Sequence, residues 1–293
     1  MKIALCGREY QEKQFPFYHQ LFKELYQYQC ELWLNEELNA SISEKLSNYS
    51  ISGTFSAEDN LAGKVDYIFS IGGDGTFLDT VKYAYRSGIP VLGFNTGRLG
   101  FLSSISAEEI SEAIKALAEK RYEIEKRSLL TLETKENLFQ TNNYALNEIC
   151  IHKKDSASMI SIHTYVNDHF LNTYWADGLI IATPTGSTAY SLSCGGPILT
   201  PESQNIIITP VATHNLTVRP IVLPDTCTIR LKAEGREETF LVSMDSRSEV
   251  INASIELNIK MSDRYVNIVR LPGLTFFSTI REKLMWGADK RNY

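Results

Sequence analysis

Residues 72–76 read GGDGT, three glycines around a single acid, Asp74, directly behind the apolar run VDYIFSI. A strand that ends in Gly72 and Gly73 and gives way to a helix near Thr76 leaves the N–H groups of a helix start uncovered, which makes a natural anion site. An acid in such a loop repels phosphate unless it has a task there. Two tasks fit: Asp74 takes a proton from a hydroxyl as a general base, or it holds a divalent cation on phosphates. In a purely structural role it caps the helix in a tight turn. Neither GxxxxGK[ST] nor GxGxxG occurs in the chain, so any nucleotide is met by a route other than a P-loop or the usual dinucleotide fingerprint.

Three further stretches carry polar groups of the same kind. Residues 177–198, DGLIIATPTGSTAYSLSCGGPI, read as a strand flowing into a loop loaded with hydroxyls and glycines. There Thr185, Gly186, Ser187 and Thr188 either hold phosphate or ribose oxygens or form a plain Ser/Thr turn, with Asp177 as a strand-start residue. Asn147 and Glu148 interrupt the strand-like YALNEICIH, where an amide and a carboxylate are costly if buried without partners. They lie on an exposed face or point into a polar ligand site. GFNTGRLGFL, residues 93–102, sets Asn95 just after a strand, and its Gly97 and Gly100 permit unusual backbone angles. Loops at the ends of neighbouring parallel strands share one crevice, where α/β proteins bind ligands.

These groups need a frame, and hydrophobic periodicity supplies it. KIALCG, ELWLN, VDYIFSI and IPVLGFN read as strands, the third apolar enough to be covered on both faces. Between them lie a helix over residues 14–30 with Phe17, Leu21, Phe22, Leu25 and Tyr26 on one face, a short helix in NASISEKLSN, and a helix over 76–86 closed by Gly88. Ser106 and Glu109 have capping-box spacing ahead of Ile110, Ala113, Ile114 and Leu117. This alternation predicts an α/β domain with a mostly parallel sheet over residues 1–121. From Tyr122 the pattern changes to alternating, β-branched runs, including SIELNIKM and RYVNIVRL as separate strands, which predicts an antiparallel β-rich domain over 122–270. VNDH reads as a hairpin turn centred on Asn167 and Asp168. Residues 271–293 return to helical spacing at Phe276, Phe277, Ile280 and Leu284, a terminal helix that docks back on one of the domains.

At 293 residues the chain is long enough for about two domains. Its formal charge of −6, without a polybasic cluster, disfavours a nucleic-acid backbone as the main partner and favours small molecules or protein. Five cysteines without a CxxC pair suit reduced thiols in the cytoplasm and indicate no zinc site. No apolar stretch approaches the roughly 20 residues that span a bilayer, and MKIALCG is too short a run for a signal peptide.

Taken together, GGDGT at 72–76, GFNTGRLGF at 93–101, Asn147-Glu148 and the 177–198 block resemble the NAD kinase family, in the family's order and spacing over roughly residues 65–285. The resemblance implies an α/β nucleotide-binding domain, a β-rich NAD-binding domain and a substrate cleft between them. It implies that Asp74 is the catalytic acid that deprotonates the adenosine-ribose 2′-hydroxyl of NAD as it attacks the terminal phosphate of ATP, with a divalent cation, Mg²⁺, carried on the donor phosphates. Gly75, Asn147, Glu148, Asp177 and the run Thr188, Ala189, Tyr190, Ser191, Leu192, Ser193 then match NAD contacts. Gly72, Gly73, Thr76, Asn95, Thr185, Gly186 and Ser187 are candidates for the phosphate and donor loops, and Ala212 is a further position of the cleft. The sequence departs from the family at Asp79, where a basic residue is frequent, at Trp175, where an arginine is, and at Arg247, where a glutamine is common; these bear on donor preference and regulation. The resemblance also implies a homodimer or homotetramer. Diacylglycerol and sphingosine kinases share GGDGT, so lipid phosphorylation is one rival and a non-catalytic dinucleotide sensor another. The 177–198 block favours a dinucleotide acceptor, and an intact Asp74 favours catalysis.

Overall fold

The computed structural model describes residues 1–97, 99–154 and 158–288. The chain forms two compact units, Met1–Lys126 together with Val266–Tyr293, and Arg127–Tyr265.

In the first unit strands and helices alternate: β1 (Lys2–Gly7), α1 (Phe15–Gln27), β2 (Glu31–Asn35), α2 (Glu36–Ile42), β3 (Gly53–Phe55), β4 (Tyr67–Ile71), α3 (Asp74–Ser87), β5 (Val91–Phe94) and α4 (Ile110–Ala118). The strands pair in the order β5-β4-β1-β2-β3, every pair parallel. β4 and β5 are buried along their whole length, as strands covered on both faces must be. Because β1 lies between β2 and β4, the strand order reverses there, and the crevice beyond the carboxyl ends of β1 and β4 is where such sheets bind ligands. Gly7 and Arg8 leave β1 at that end, and the GGDGT turn leaves β4.

Local details differ from the periodicity and have physical reasons. α1 buries Phe17, Tyr18, Leu21, Phe22 and Leu25, but Tyr26 is 63% exposed, its ring meeting Tyr49 edge-on. α2 begins at Glu36 and not at Asn39. The Asn35 amide clamps both backbone groups of Gly7 at 2.9 and 3.0 Å, and Glu36 and Glu37 then suit the positive end of the helix. The short β3 at the sheet edge carries no alternation that would announce it. Gly88 closes α3 in the left-handed conformation, its N–H bonding the Ala84 carbonyl at 2.7 Å.

The second unit contains β7 (Tyr144–Ala145), β8 (Glu148–Lys153), β9 (Ile160–Val166), β10 (His169–Ala176), β11 (Gly178–Ala182), the short α5 (Tyr190–Ser193), β12 (Asn205–Val211), β13 (Ile221–Pro224), β14 (Ile229–Glu234), β15 (Thr239–Met244) and β16 (Arg247–Asn252); β6 (Glu123–Glu133) leads into it and β17 (Leu257–Arg270) leads out. One antiparallel sheet runs β13-β12-β11-β8-β15-β16, and β10, β9, β14 and β17 pair antiparallel in another. Ile149, Ile181, Ile208 and Val242 from the first sheet share a core with Ile162 and Ile229 from the second. The β9–β10 hairpin turns through Asn167 and Asp168 at φ 49° and 63°, the positive angles a tight two-residue hairpin requires.

The runs SIELNIKM and RYVNIVRL are not two strands but the single strand β17. Its polar middle reads as a turn in the sequence, yet Asp263 and Arg264 are exposed residues of continuous extended backbone. β13 and β16 are edge strands and gave no comparable signal. The last five residues of β17 belong to the first unit, where Ile268 pairs parallel with Val91. The compact units therefore divide at 126/127 and 265/266, where periodicity placed boundaries at 121/122 and 270/271. The last described element is α6 (Phe276–Leu284), capped by Thr275, whose hydroxyl accepts the Ser278 N–H at 3.1 Å. α6 belongs to the first unit and buries Thr279 and Ile280, while Phe277 is exposed.

Candidate functional site

In the first unit Gly73 is the N-cap of α3 and Asp74 its first residue, yet the Asp74 side chain does not cap its own helix. Its carboxylate is used across the loop that follows β5. Oδ1 accepts the N–H groups of Leu102 at 2.9 Å and Ser103 at 3.1 Å, and Oδ2 accepts the N–H of Phe101 at 2.9 Å and the Lys283 ammonium at 3.1 Å. Burial pushes the Asp74 pKa up, but the three backbone N–H groups and Lys283 outweigh it and hold the carboxyl below its ordinary range.

Gly100 makes this arrangement possible by closeness, not by unusual angles. Neither Gly97 nor Gly100 has a positive φ, but a β-carbon on Gly100 would lie 2.0 Å from Oδ1 of Asp74. Gly72 does need its conformation, at φ 151°, and a β-carbon there would meet the Thr76 hydroxyl at 2.4 Å. Gly73 is open to its surroundings, and Gly75 has the Arg8 guanidinium as its neighbour, 3.6 Å from where a β-carbon would stand. Arg8 grips Asp79 with Nε at 3.1 Å and Nη2 at 2.6 Å. The acid at position 79 thus fastens a cation from the end of β1 beside the glycine turn. Asn95 is buried and closes its own loop by accepting the Gly97 N–H at 2.7 Å.

In the second unit the strand is broken at Leu146 and Asn147, so Asn147-Glu148 does not sit inside a regular strand. The break is held by Asp245, which sequence reasoning did not single out. Its carboxylate accepts the N–H groups of Leu146 at 2.7 Å, Asn147 at 2.8 Å and Glu148 at 3.2 Å. An acid directly after the alternating strand β15, whose every second residue is buried, was the available signal. Gly186 allows the neighbouring loop to close over the break: a β-carbon there would lie 2.1 Å from the Asn147 carbonyl oxygen. Thr183 ties the two together, donating to the Leu146 carbonyl at 2.6 Å and accepting the Gly186 N–H at 3.0 Å.

Glu148 is half-buried, and its Oε2 is buried without a hydrogen-bond partner among the described residues. Burial first and the neighbouring Asp245 second raise its pKa to about 8, against the Tyr190 N–H, which lowers it. The folded protein thus retains a proton that the unfolded chain gives up, so Glu148 costs stability progressively as pH rises from about 4.5 to about 8. Glu148→Gln is expected to remove this loss. Denaturant titrations of both proteins should coincide best near pH 5 and diverge towards pH 8, with the variant more stable; equal slopes would contradict the assignment.

The remaining residues of this unit fall into two groups. Ser187 exchanges hydrogen bonds with Leu199 at 3.0 and 3.2 Å and Ser191 with Thr209 at 2.8 Å, so these hydroxyls are spent inside the fold. Thr185, also buried, receives a hydrogen bond from the buried Arg127 at 3.2 Å. Thr188, Ala189 and Leu192 are half-buried, and Tyr190 and Ser193 are exposed, with the Tyr190 ring 5.7 Å from that of His152. Asp177 pairs with Lys153 at 2.7 Å. Trp175 is 46% exposed with its ring 4.6 Å from His214, and Ala212 adopts φ 47°. Arg247 donates to the carbonyls of Asn142 and Tyr144 and lies over the Tyr144 ring. Among the described residues no group of three or more His, Cys, Asp or Glu side chains is set to hold a metal ion.

Comparison with known proteins places these features in one family. Residues 16–122 match the ATP-NAD kinase N-terminal domain and residues 146–271 the ATP-NAD kinase C-terminal domain. An NAD kinase of Flavobacterium psychrophilum is 46% identical over 294 residues, covering 100% of both chains. A yeast NADH kinase crystallised with NADH superposes with a TM-score of 0.86 over 100% of this chain and 90% of that one, at 24% identity, a likeness of fold. An Archaeoglobus fulgidus NAD kinase crystallised with ATP superposes with a TM-score of 0.73 at 25% identity, covering 97% of this chain and 99% of that one. Matched in both halves and along its full length, the chain belongs to the ATP-NAD kinase family.

Proposed function

We propose that the protein transfers the terminal phosphate of ATP to the 2′-hydroxyl of the adenosine ribose of NAD, giving NADP and ADP. The observation that carries this reading is the ionised Asp74, held at four points where the glycine turn leaves β4. In this reading Asp74 accepts the 2′-hydroxyl proton as the ribose oxygen bonds to the γ-phosphorus and the bond to the β,γ-bridging oxygen breaks. A carboxylate of lowered pKa is a weak base, but a loose phosphoryl-transfer transition state asks mainly for alignment and charge stabilisation. The N–H groups of Gly73 and Gly75, with Asn95 alongside, face the donor phosphates, while the N–H of Gly72 is bonded to the Phe94 carbonyl at 2.9 Å and that of Thr76 to the Gly73 carbonyl at 3.0 Å, which shape the turn. Mg²⁺ arrives on those phosphates as part of the substrate.

NAD is held by the second unit's residues. Glu148, with one buried oxygen still open to a donor, accepts from ribose hydroxyls, and Asn147 stands beside it. Asp177, Thr188, Ala189, Tyr190, Leu192 and Ser193 complete the contacts, with Thr185, Gly186, Ser187 and the buried Ser191 behind them. The protein acts in the cytoplasm as a homodimer or homotetramer. The test offers γ-labelled ATP and Mg²⁺ with NAD, diacylglycerol or sphingosine as acceptor. Label is expected in NADP alone; label in either lipid, or none in NADP, would sink the proposal.

A further inference from the structure

A carboxylate presents about four lone-pair sites. Those of Asp74 are all engaged, by the N–H groups of Phe101, Leu102 and Ser103 and by Lys283. For Asp74 to accept a proton from a hydroxyl, one of these donors must give way. The three backbone donors are fixed in the loop that runs past Gly100, which packs directly against the carboxylate. Lys283 is different in kind. Its ammonium ends a flexible four-carbon stem on the last turn of α6 and rests 4.5 Å from the centre of the Phe101 ring. Phe101 in turn lies 6.5 Å, centre to centre, from Phe276 at the start of the same helix. α6 thus meets Phe101 from both ends, with Phe276 at its start and Lys283 in its last turn.

We propose that Lys283 is a positioning residue for phosphoryl transfer, an ammonium that holds Asp74 in place until the acceptor hydroxyl takes its position on Oδ2. The inference rests on the reading of Asp74 as the base. Among the described residues the other charged groups beside the turn are Arg8 from the end of β1 and Asp79 on α3, which are joined to each other. Removal of the Lys283 charge should make Asp74 easier to protonate.

The test compares kcat/KM for NAD against pH, which reports the enzyme before NAD binds, for the unmodified protein, Lys283→Met and Lys283→Arg, with ATP saturating. In Lys283→Met the acid limb is expected to move up by about one pH unit, with KM for NAD unchanged or lower because the hydroxyl no longer competes with an ammonium. Lys283→Arg should return the limb to its original position. A ¹³C titration of the Asp74 carboxyl without nucleotides should show the same displacement. Lys283→Gln, which keeps a donor but no charge, should behave as Lys283→Met and serves if the methionine variant does not fold. An unmoved limb, a failure of arginine to restore it, or a KM that rises as kcat falls would overturn the inference. Asp74→Asn run alongside separates the two claims: if that variant is fully active the reading of Asp74 fails, and if it is inactive while the limb stays fixed only the role of Lys283 does.

Discussion

Asp74→Asn is expected to lower kcat for NADP formation by roughly 10²–10⁴-fold, the usual contribution of a positioned acid or base, with KM for NAD changed by only a few-fold. An amide is the same size as the carboxylate and keeps one acceptor oxygen. Its NH₂ group, however, can take no proton and would face donors, either the Phe101 N–H and Lys283 or the N–H groups of Leu102 and Ser103. The substitution thus removes the proposed base and sets donor against donor. Steady-state kinetics with both substrates varied provide the check. A loss carried entirely by KM would show that Asp74 holds NAD and does not touch the proton.

The second large effect is expected from a single methyl group. In Gly100→Ala the new β-carbon would stand 2.0 Å from Oδ1 and 2.8 Å from Cγ of Asp74, distances that no packed side chain sustains. Asp74 cannot retreat without giving up hydrogen bonds to the next three residues of the same loop. Either the loop or the carboxylate must shift by about 1 Å, and a misplacement of that size costs about 100-fold in rate. Gly97→Ala, in the same loop, adds a methyl that meets nothing within 4 Å and is the matched control. The expected result is a kcat about 100-fold lower for Gly100→Ala with a thermal midpoint lower by about a few degrees, and a near-normal kcat and midpoint for Gly97→Ala. Equal activities would show that the contact with Gly100 does not govern Asp74.

Much of this frame was legible in the sequence because it rests on short-range patterns. Apolar runs of the right length announced β1, β4 and β5; Gly88 and the Ser106–Glu109 box announced helix ends; Asn167 and Asp168 announced a hairpin. The glycine turn was legible for the same reason, since GGDGT is one contiguous strand-to-helix junction. What remained hidden depends on residues far apart in the chain. Lys283 reaches Asp74 across 209 positions, and Asp245 reaches Leu146 across 99, and no periodicity encodes either contact. Gly100 shows the limit most sharply. Its presence suggested freedom of backbone angle, but its φ is ordinary, and what it supplies is room for a carboxylate that arrives from another element. Asp79 is similar: as a departure from the family it had no evident purpose, and its partner Arg8 lies 71 residues earlier.

The central claim is that Asp74 serves transfer to one particular oxygen, the 2′-hydroxyl of the adenosine ribose. The most direct measurement is proton-coupled ³¹P NMR of the product made from NAD, ATP and Mg²⁺. One new phosphomonoester resonance is expected, coupled to the 2′ proton of the adenosine ribose and missing from the Asp74→Asn reaction. Phosphate on the 3′-oxygen or on the nicotinamide ribose, or an undiminished signal with Asp74→Asn, would contradict it.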